Sequence, residues 1–127
     1  MIGPALYVSD ITRSLKFYTD GLGMQVRMKF GPTDRPDMVI GFGADPSKPG
    51  IMLLSDREGA TPRKIEHVHG FDRIAFQMPD LSAVAERLRA AGFSPGEIRV
   101  VHENFRMMMV SDPDGYRYEL IDAKPAK

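Results

Sequence analysis

Residues 6–24 read LYVSDITRSLKFYTDGLGM, and this stretch contains the signals that decide the fold. Alternating apolar side chains in ALYVSD, residues 5–10, predict a short strand. The carboxylate of Asp10 is suited to cap a following helix. Apolar residues then recur at helical spacing and predict one buried helical face. That face consists of Ile11, Leu15, Tyr18 and Leu22. Gly21 and Gly23 end the helix, and alternation in MQVRMKF predicts the next strand.

The same order of signals returns in the second half of the chain. RIAFQMPD, residues 73–80, predicts a strand that ends in a second capping aspartate, Asp80. A second helical face follows, and Gly92 ends that helix. Its members are Leu81, Val84, Ala85 and Leu88. Further strands are predicted near MVIGFG and GIMLLS in the first half, and near EIRVVHE, RMMMVSD and YRYELID in the second. The chain therefore contains a tandem repeat of one β-α-β-β-β module.

This repeat predicts an α+β fold and a single domain over residues 1–127. Module one covers about residues 3–55, and module two covers about residues 71–122. The intervening residues 56–70 are polar and aperiodic, so we interpret them as a linker and a candidate lid over a site.

The composition argues against several classes of function. Lysine plus arginine and aspartate plus glutamate number 17 each, so the chain lacks the basic charge that binds nucleic acids or membrane surfaces. No apolar run is long enough to span a bilayer, and the N-terminus has no signal-peptide pattern. The absence of cysteine excludes disulfides, thiolate metal sites and cysteine nucleophiles. We therefore expect a cytoplasmic protein whose partner is a small molecule, with no nucleic-acid or membrane partner.

LYVSDITRSLKFYTDGLGM together with DPDGYRYELI, residues 112–121, resembles the vicinal oxygen chelate superfamily. This superfamily includes glyoxalase I (lactoylglutathione lyase), bleomycin-resistance proteins, fosfomycin-modifying enzymes, methylmalonyl-CoA epimerase and extradiol dioxygenases. The chain is most similar in appearance to the glyoxalase I branch. The resemblance implies two curved sheets around a cavity, a divalent metal ion in that cavity, and a homodimer. In the family, modules of different chains often complete each cavity, and whether they do so in this chain stays open.

The resemblance also implies four metal-ligand positions, and this chain keeps one of them. Gly3 stands at the first position and has no side chain, and Leu53 at the second is apolar. Arg73 stands at the third, where the family has histidine, and a guanidinium has no lone pair to donate. Only Glu119 matches the family. We therefore expect no metal ion and no other cofactor.

Arg73 brings a fixed positive charge to the expected site. We hypothesise that its fixed positive charge replaces that of the metal ion, with Glu119 as its nearest counter-charge. Its planar fork is also suited to bind a carboxylate of a ligand. Two interpretations stay open: Glu119 and Arg73 are catalytic, or they form a structural salt bridge in a site without activity.

Several other side chains are candidates for substrate binding. The full set is Arg73, Tyr7, Leu53, Phe76, Met107 and Met109. The two methionines alternate onto one face of a strand, where flexible thioethers suit an adaptable apolar cavity, although ordinary core packing explains them equally well. Any of the strand aromatics that face the cavity form an aromatic wall. Those aromatics are Tyr7, Phe42, Phe76 and Tyr118. DPDG is interpreted as a turn that aims the strand of Glu119.

Three histidines are further candidates. His67 and His69 share a face of an extended chain, so with Asp72 they could form a displaced metal site. His102 and Glu103 could reach the cavity as acid and base groups. Exposed, solvated side chains are the simpler interpretation of these histidines and of Glu103.

Three functions stay open at this point. The first is a binding protein that sequesters a drug or antibiotic, as bleomycin-resistance proteins do. The second is a metal-independent lyase or isomerase in which Glu119 removes a proton next to a carbonyl and Arg73 stabilises the enolate. The third is a metal-dependent lactoylglutathione lyase, against which the missing ligands argue. We favour a glyoxalase-like protein that binds an apolar or carboxylated small molecule without metal catalysis.

Overall fold

Two runs of secondary structure follow one another along the chain, each in the order strand, helix and three strands. The computed structural model describes residues 1–56, 63–102 and 104–123. The first run comprises β1 (Ala5–Val8), α1 (Ile11–Leu15), β2 (Gln25–Phe30), β3 (Asp37–Gly41) and β4 (Ile51–Ser55). The second comprises β5 (Ile74–Gln77), α2 (Leu81–Ala90), β6 (Arg99–Val101), β7 (Phe105–Ser111) and β8 (Arg117–Ala123). This order confirms the tandem β-α-β-β-β modules that the sequence predicts.

Each module forms one four-stranded mixed sheet. Sheet A has the strand order β1-β4-β3-β2, and sheet B has the order β5-β8-β7-β6. In both sheets the first strand of the module runs parallel to the last, and the other neighbours are antiparallel. The last strands, β4 and β8, therefore have a partner on each side. A side chain on β8 accordingly has neighbours from two other strands.

The helix starts follow the predicted caps. The carboxylate of Asp10 accepts the backbone N–H groups of Thr12 and Arg13. Asp80 caps α2 in the same way, through the backbone N–H groups of Ser82 and Ala83. The predicted face of α2 is buried. It consists of Leu81, Val84, Ala85 and Leu88.

Helix α1 differs from the prediction of one continuous α-helix. After Leu15 the chain continues as a π-helix, Lys16–Gly21. The wider turn places two consecutive aromatic side chains, Phe17 and Tyr18, in the core together. Regular α-helical spacing predicts burial of Tyr18 and not of Phe17, so the sequence pattern missed this residue.

A single apolar cluster contains buried side chains from both modules. Helix α2 packs against the π-helical segment of module one and also against β7 and β8. We call the helix-covered side of each sheet its inner face and the opposite side its open face. No helix among the described residues has the length and apolar character needed to cross a membrane.

A buried hydrogen-bond network joins the two modules. The hydroxyl group of Tyr18 donates to Oδ2 of Asp112 at 2.6 Å and lies 2.6 Å from the hydroxyl group of Tyr118. Burial raises the pKa of Asp112, and burial is also the largest cause of the raised pKa of Tyr18. Tyr18, from the helical segment of module one, is therefore hydrogen-bonded to Asp112, which precedes β8, and to Tyr118 on β8.

The DPDG segment forms the predicted turn between β7 and β8. Oδ1 of Asp112 accepts the backbone N–H groups of Asp114 and Tyr116, each at 2.9 Å. The backbone N–H of Ser9 donates to Oδ2 of Asp114 at 2.9 Å. The turn is thus bonded internally and also to the end of β1 in the other module.

We expect Tyr18→Phe to lower the free energy of unfolding by about 1 to 3 kcal/mol, because it leaves two buried polar groups short of a partner. The matched control is Tyr7→Phe, which removes the hydroxyl group of an exposed side chain. Tyr7→Phe should change the free energy of unfolding by no more than about 0.5 kcal/mol. Urea unfolding followed by circular dichroism measures both. Equal effects would show that the Tyr18 hydroxyl does not hold the modules together.

Candidate functional site

Strand β8 presents Glu119 on the open face of sheet B. The neighbours in sequence, Tyr118 and Leu120, are fully buried on the inner face, so alternation directs Glu119 to the other side. Ala75 on β5 and Met109 on β7 are its partners in register. The Glu119 side chain is 20% exposed. A carboxylate with this exposure, on a central strand, is accessible to a ligand and fixed in direction.

The buried carboxylate of Asp122 fixes the C-terminal end of β8. Asp122 accepts the backbone N–H of Leu81 at 2.8 Å and two N–H groups of Arg106, at 2.5 and 2.9 Å. The bonds from Arg106 lower the pKa of Asp122, so the carboxylate remains charged at the start of α2. Glu119 therefore lies between two anchored ends of its strand.

Four charged side chains meet where β5 and β8 begin. We call Asp72, Arg73, Arg117 and Glu119 the charged cluster. Nε of Arg73 lies 3.4 Å from Oε2 of Glu119, and Nη1 of Arg73 donates to Oδ2 of Asp72. Nη1 of Arg117 lies 3.4 Å from Oδ1 of Asp72. Hydrogen bonds to the two carboxylates, with Asp72 the larger cause, raise the pKa of Arg73, so its positive charge is permanent.

The cluster agrees with the sequence analysis in one respect and differs in another. Arg73 and Glu119 are brought together as expected, but the nearest counter-charge of Arg73 is Asp72 rather than Glu119. Arg117 was missed altogether. It stands two residues before Glu119, so strand alternation places it on the same face and could have identified it.

Apolar side chains continue the open face beyond the cluster. Met109 is opposite Glu119, and Met107 is opposite Ile121 on the next rung of the sheet. Both methionines are partly buried. Their alternation therefore has the predicted result, since both side chains share the face of Glu119.

Two predicted substrate-binding residues lie elsewhere. Phe76 alternates with Ala75 and so faces inward, where its ring stacks on Tyr118 with centroids 5.6 Å apart and meets the edge of Phe42. The side chain of Leu53 is fully buried in the core. The assignment of Phe76 and Leu53 to the ligand surface was wrong, because each faces the core side of its sheet.

Tyr7 is exposed and stands apart from the aromatics of the core. Tyr7 is the one member of the predicted aromatic wall that lies on an open face. The other three members, Phe42, Phe76 and Tyr118, pack against one another. Tyr7 lines a cavity of about 620 Å³ together with a polar segment from the linker. The other lining residues are Asp56, Arg63, Lys64, Ile65, Glu66 and Tyr116.

The histidines do not form a displaced metal site among the described residues. Nε2 of His67 lies 2.7 Å from the backbone carbonyl of Asp114, and a carbonyl only accepts, so Nε2 carries a proton. His69 and His102 are exposed. Within residues 1–56, 63–102 and 104–123, no three His, Asp or Glu side chains are grouped to hold a metal ion. The predicted partner of His102, Glu103, lies outside the described residues, as do residues 57–62 of the predicted linker.

A sequence profile described as the Glyoxalase/Bleomycin resistance protein/Dioxygenase superfamily matches residues 3–120. The chain belongs to this superfamily. A probable lactoylglutathione lyase of Synechocystis is 31% identical over 126 residues, which cover 94% of this chain and 92% of that protein. A putative lactoylglutathione lyase of Brassica oleracea is 32% identical and matches 93% of this chain, but the match covers only 42% of the plant protein.

Solved structures of the superfamily show the same fold. The trypanothione-dependent glyoxalase I of Leishmania major superposes on 96% of this chain and 85% of its own, with a TM-score of 0.75 and 27% identity. The likeness of both sequence and fold confirms the resemblance inferred from the two motifs.

The residues that the resemblance assigns to metal-ligand positions offer too few donor atoms to fit a divalent ion. Gly3 has a φ of +141°, and a side-chain carbon there would overlap the carbonyl oxygen of Gly50. Leu53 is buried, and its open-face neighbours Met52 and Leu54 offer neither oxygen nor nitrogen. Arg73 brings a positive charge to the third position, which leaves Glu119 as the one oxygen donor of the four.

We expect Gly3→Ala to lower the free energy of unfolding by about 1 to 3 kcal/mol more than Gly70→Ala. Both glycines have a similar positive φ, +141° and +136°, but a side-chain carbon at Gly70 meets no atom within 4 Å. The control therefore carries the conformational cost without the overlap. Chemical unfolding of both variants measures the difference. If the two losses are equal, position 3 has room for a side chain and the steric argument against a ligand there fails.

Proposed function

We propose that this chain binds a small molecule with an apolar body and a carboxylate or carbonyl oxygen, and catalyses metal-independent lyase or isomerase chemistry on it. The observation that carries the proposal is the Arg73 guanidinium 3.4 Å from the Glu119 carboxylate on the open face of sheet B. A fixed cation and a carboxylate side by side are what proton removal next to a carbonyl needs.

The proposed reaction begins with the Glu119 carboxylate. It accepts a proton from a hydroxyl-bearing carbon next to the carbonyl group. The electron pair of that C–H bond forms the C=C bond of an enediolate, and the π electron pair of the carbonyl group moves to its oxygen. Arg73 stabilises the resulting enolate with its positive charge. Glu119 then returns the proton to the former carbonyl carbon while the hydroxyl proton passes to the enolate oxygen on that carbon, so atoms and charge balance and the product is an isomer of the substrate.

The apolar part of the open face would hold the substrate body. Ala75 and Met109 flank Glu119, and Met107 extends the surface by one rung. Thioether side chains adapt to ligands of different shape and exclude water from the reacting carbon. Water exclusion strengthens the interaction between the guanidinium and an enolate oxygen, because the local dielectric constant falls.

We also propose a homodimer that covers the open faces. The open face of sheet A carries an apolar cavity of about 300 Å³. Its apolar lining consists of Ile2, Met28, Phe30, Val39, Pro46 and Met52. Met28 is 58% exposed and Tyr7 is 57% exposed. Contiguous exposed apolar surface of this kind is typical of an interaction site.

Sedimentation equilibrium should give twice the mass of one chain. Met28→Asp places a charge in the apolar cavity and should weaken dimerisation by at least about tenfold, since burying an unpaired charge is costly. Val68→Asp is the control, because Val68 is 77% exposed and lies on the linker segment. A monomeric wild-type protein, or equal masses for the two variants, would contradict the dimer.

A second candidate function is metal-dependent lactoylglutathione lyase. The names of the Synechocystis and Brassica relatives favour it. The charge of Arg73 and the closed backbone at Gly3 oppose it, because they remove two donors that the ion would need. A sequestering protein of the bleomycin-resistance type would use the same open face without proton transfer, and the reaction assay separates it.

Deuterium exchange from D2O into phenylpyruvate tests the proposal, with the uncatalysed rate subtracted. The wild-type protein should exchange the protons next to the carbonyl. Glu119→Gln should slow exchange at least about a hundredfold while retaining binding, because the amide cannot act as a base. Arg73→Gln should weaken binding at least about tenfold.

The control for this assay is Glu86→Gln, an exposed position on α2, which should leave exchange and binding unchanged. Binding without exchange by the wild-type protein would contradict catalysis and favour sequestration. Formation of S-lactoylglutathione only after addition of a divalent metal ion would contradict the proposal and favour the lyase.

A further inference from the structure

Arg73 has two acidic partners that differ in how firmly they are held. Glu119 lies on a central strand between two buried residues, and its side chain is 20% exposed. Asp72 lies outside the strand, two residues before β5 begins, and its side chain is 60% exposed. The first carboxylate is therefore part of the sheet, whereas the second meets Arg73 from the solvent side.

Asp72 also has a second cation within reach. Its Oδ2 accepts from Nη1 of Arg73, and its Oδ1 lies 3.4 Å from Nη1 of Arg117. The Arg117 side chain is 51% exposed. Ion pairs at this exposure contribute little to stability, because water and salt compete for both charges. Asp72 can therefore leave Arg73 at small cost and still be paired with Arg117.

We infer that Asp72 is a place-holder on Arg73 and that the natural ligand is a small organic carboxylate, whose carboxyl group displaces Asp72 toward Arg117. The inference rests on the proposed function, since it assigns the substrate class of the same site. A ligand carboxylate can offer Arg73 two oxygens in the planar geometry that arginine favours, whereas Asp72 gives Arg73 one oxygen and directs the other to Arg117.

The neighbouring side chains restrict the rest of that ligand. Ala75 and Met109 lie beside Glu119 on the open face, and neither competes for hydrogen bonds. A carboxyl group on Arg73 would place the attached carbon atoms over this apolar surface and near Glu119. The expected ligand is therefore a carboxylic acid with an apolar or aromatic body.

A double-mutant cycle with benzoate as the probe tests the inference, with benzamide as its neutral analogue. Amide chemical shifts of the isotope-labelled full chain report binding. Asp72→Asn should strengthen benzoate binding about three- to tenfold, because the competing carboxylate is gone. Arg117→Gln should weaken it about two- to threefold, because Asp72 then has only Arg73 as a partner.

The coupling between the two substitutions is the decisive readout. In the Asp72→Asn background, Arg117→Gln should no longer weaken binding, since there is no carboxylate left to hold. Benzamide should bind more weakly than benzoate to every variant that retains Arg73. Glu86→Gln, which removes a distant carboxylate from the exposed side of α2, should change neither affinity.

Failure of the inference is distinguishable from failure of the proposed function. If Arg73→Gln abolishes benzoate binding but Asp72→Asn does not strengthen it, Asp72 is not a place-holder and the Arg73 site stands. If Arg73→Gln binds benzoate as well as the wild-type protein does, the proposed function fails. Equal binding of benzamide, or no binding of benzoate to any variant, would overturn the assignment of a carboxylate ligand.

Discussion

The hydroxyl group of Tyr18 is the contact on which the geometry of the candidate site depends. It comes from the helical segment of module one and bonds to Asp112 and Tyr118 of module two. Burial raises the pKa of Asp112, and hydrogen bonds from the Tyr18 hydroxyl group and from two backbone N–H groups take the place of water around its carboxylate. A shift of one module against the other would leave these polar groups unpaired, so the network resists such a shift. The start of strand β8 is therefore fixed in position relative to module one.

The inner face of sheet B in turn determines its open face. Tyr118 and Leu120 are fully buried, and a strand side chain between two inward residues has to face outward. Glu119 thus gains its direction from core packing rather than from contacts of its own. Arg73 is less constrained, since it precedes β5 and is 41% exposed. The site combines one carboxylate fixed by the sheet with one cation held mainly by charge.

Local signals in the sequence were enough to predict the two modules and the helix caps, and the DPDG motif of the resemblance pointed to Glu119. Asp10, Asp80 and Glu119 belong to short motifs whose meaning depends on residues close in sequence. Leu53 was assigned through the resemblance, and its strand IMLLS lacks the sequence alternation that would have indicated which face it takes. The strand of Phe76 does alternate, but the pattern alone does not say which of its two faces the helix covers. The contact of Asp72 with Arg117 arises from the parallel pairing of β5 and β8, which no local pattern specifies.

Charge balance supports the proposal of a metal-independent site. A divalent ion needs several donors with lone pairs, and the superfamily positions here supply Glu119 alone. The charged cluster instead contains two arginines and two carboxylates, so it is neutral without any ion. A bound anion would add one negative charge beside Glu119 unless another carboxylate withdrew. In the proposed exchange, the exposed Asp72 moves toward Arg117 and the ligand carboxylate takes its place, so the number of carboxylates beside Arg73 does not rise.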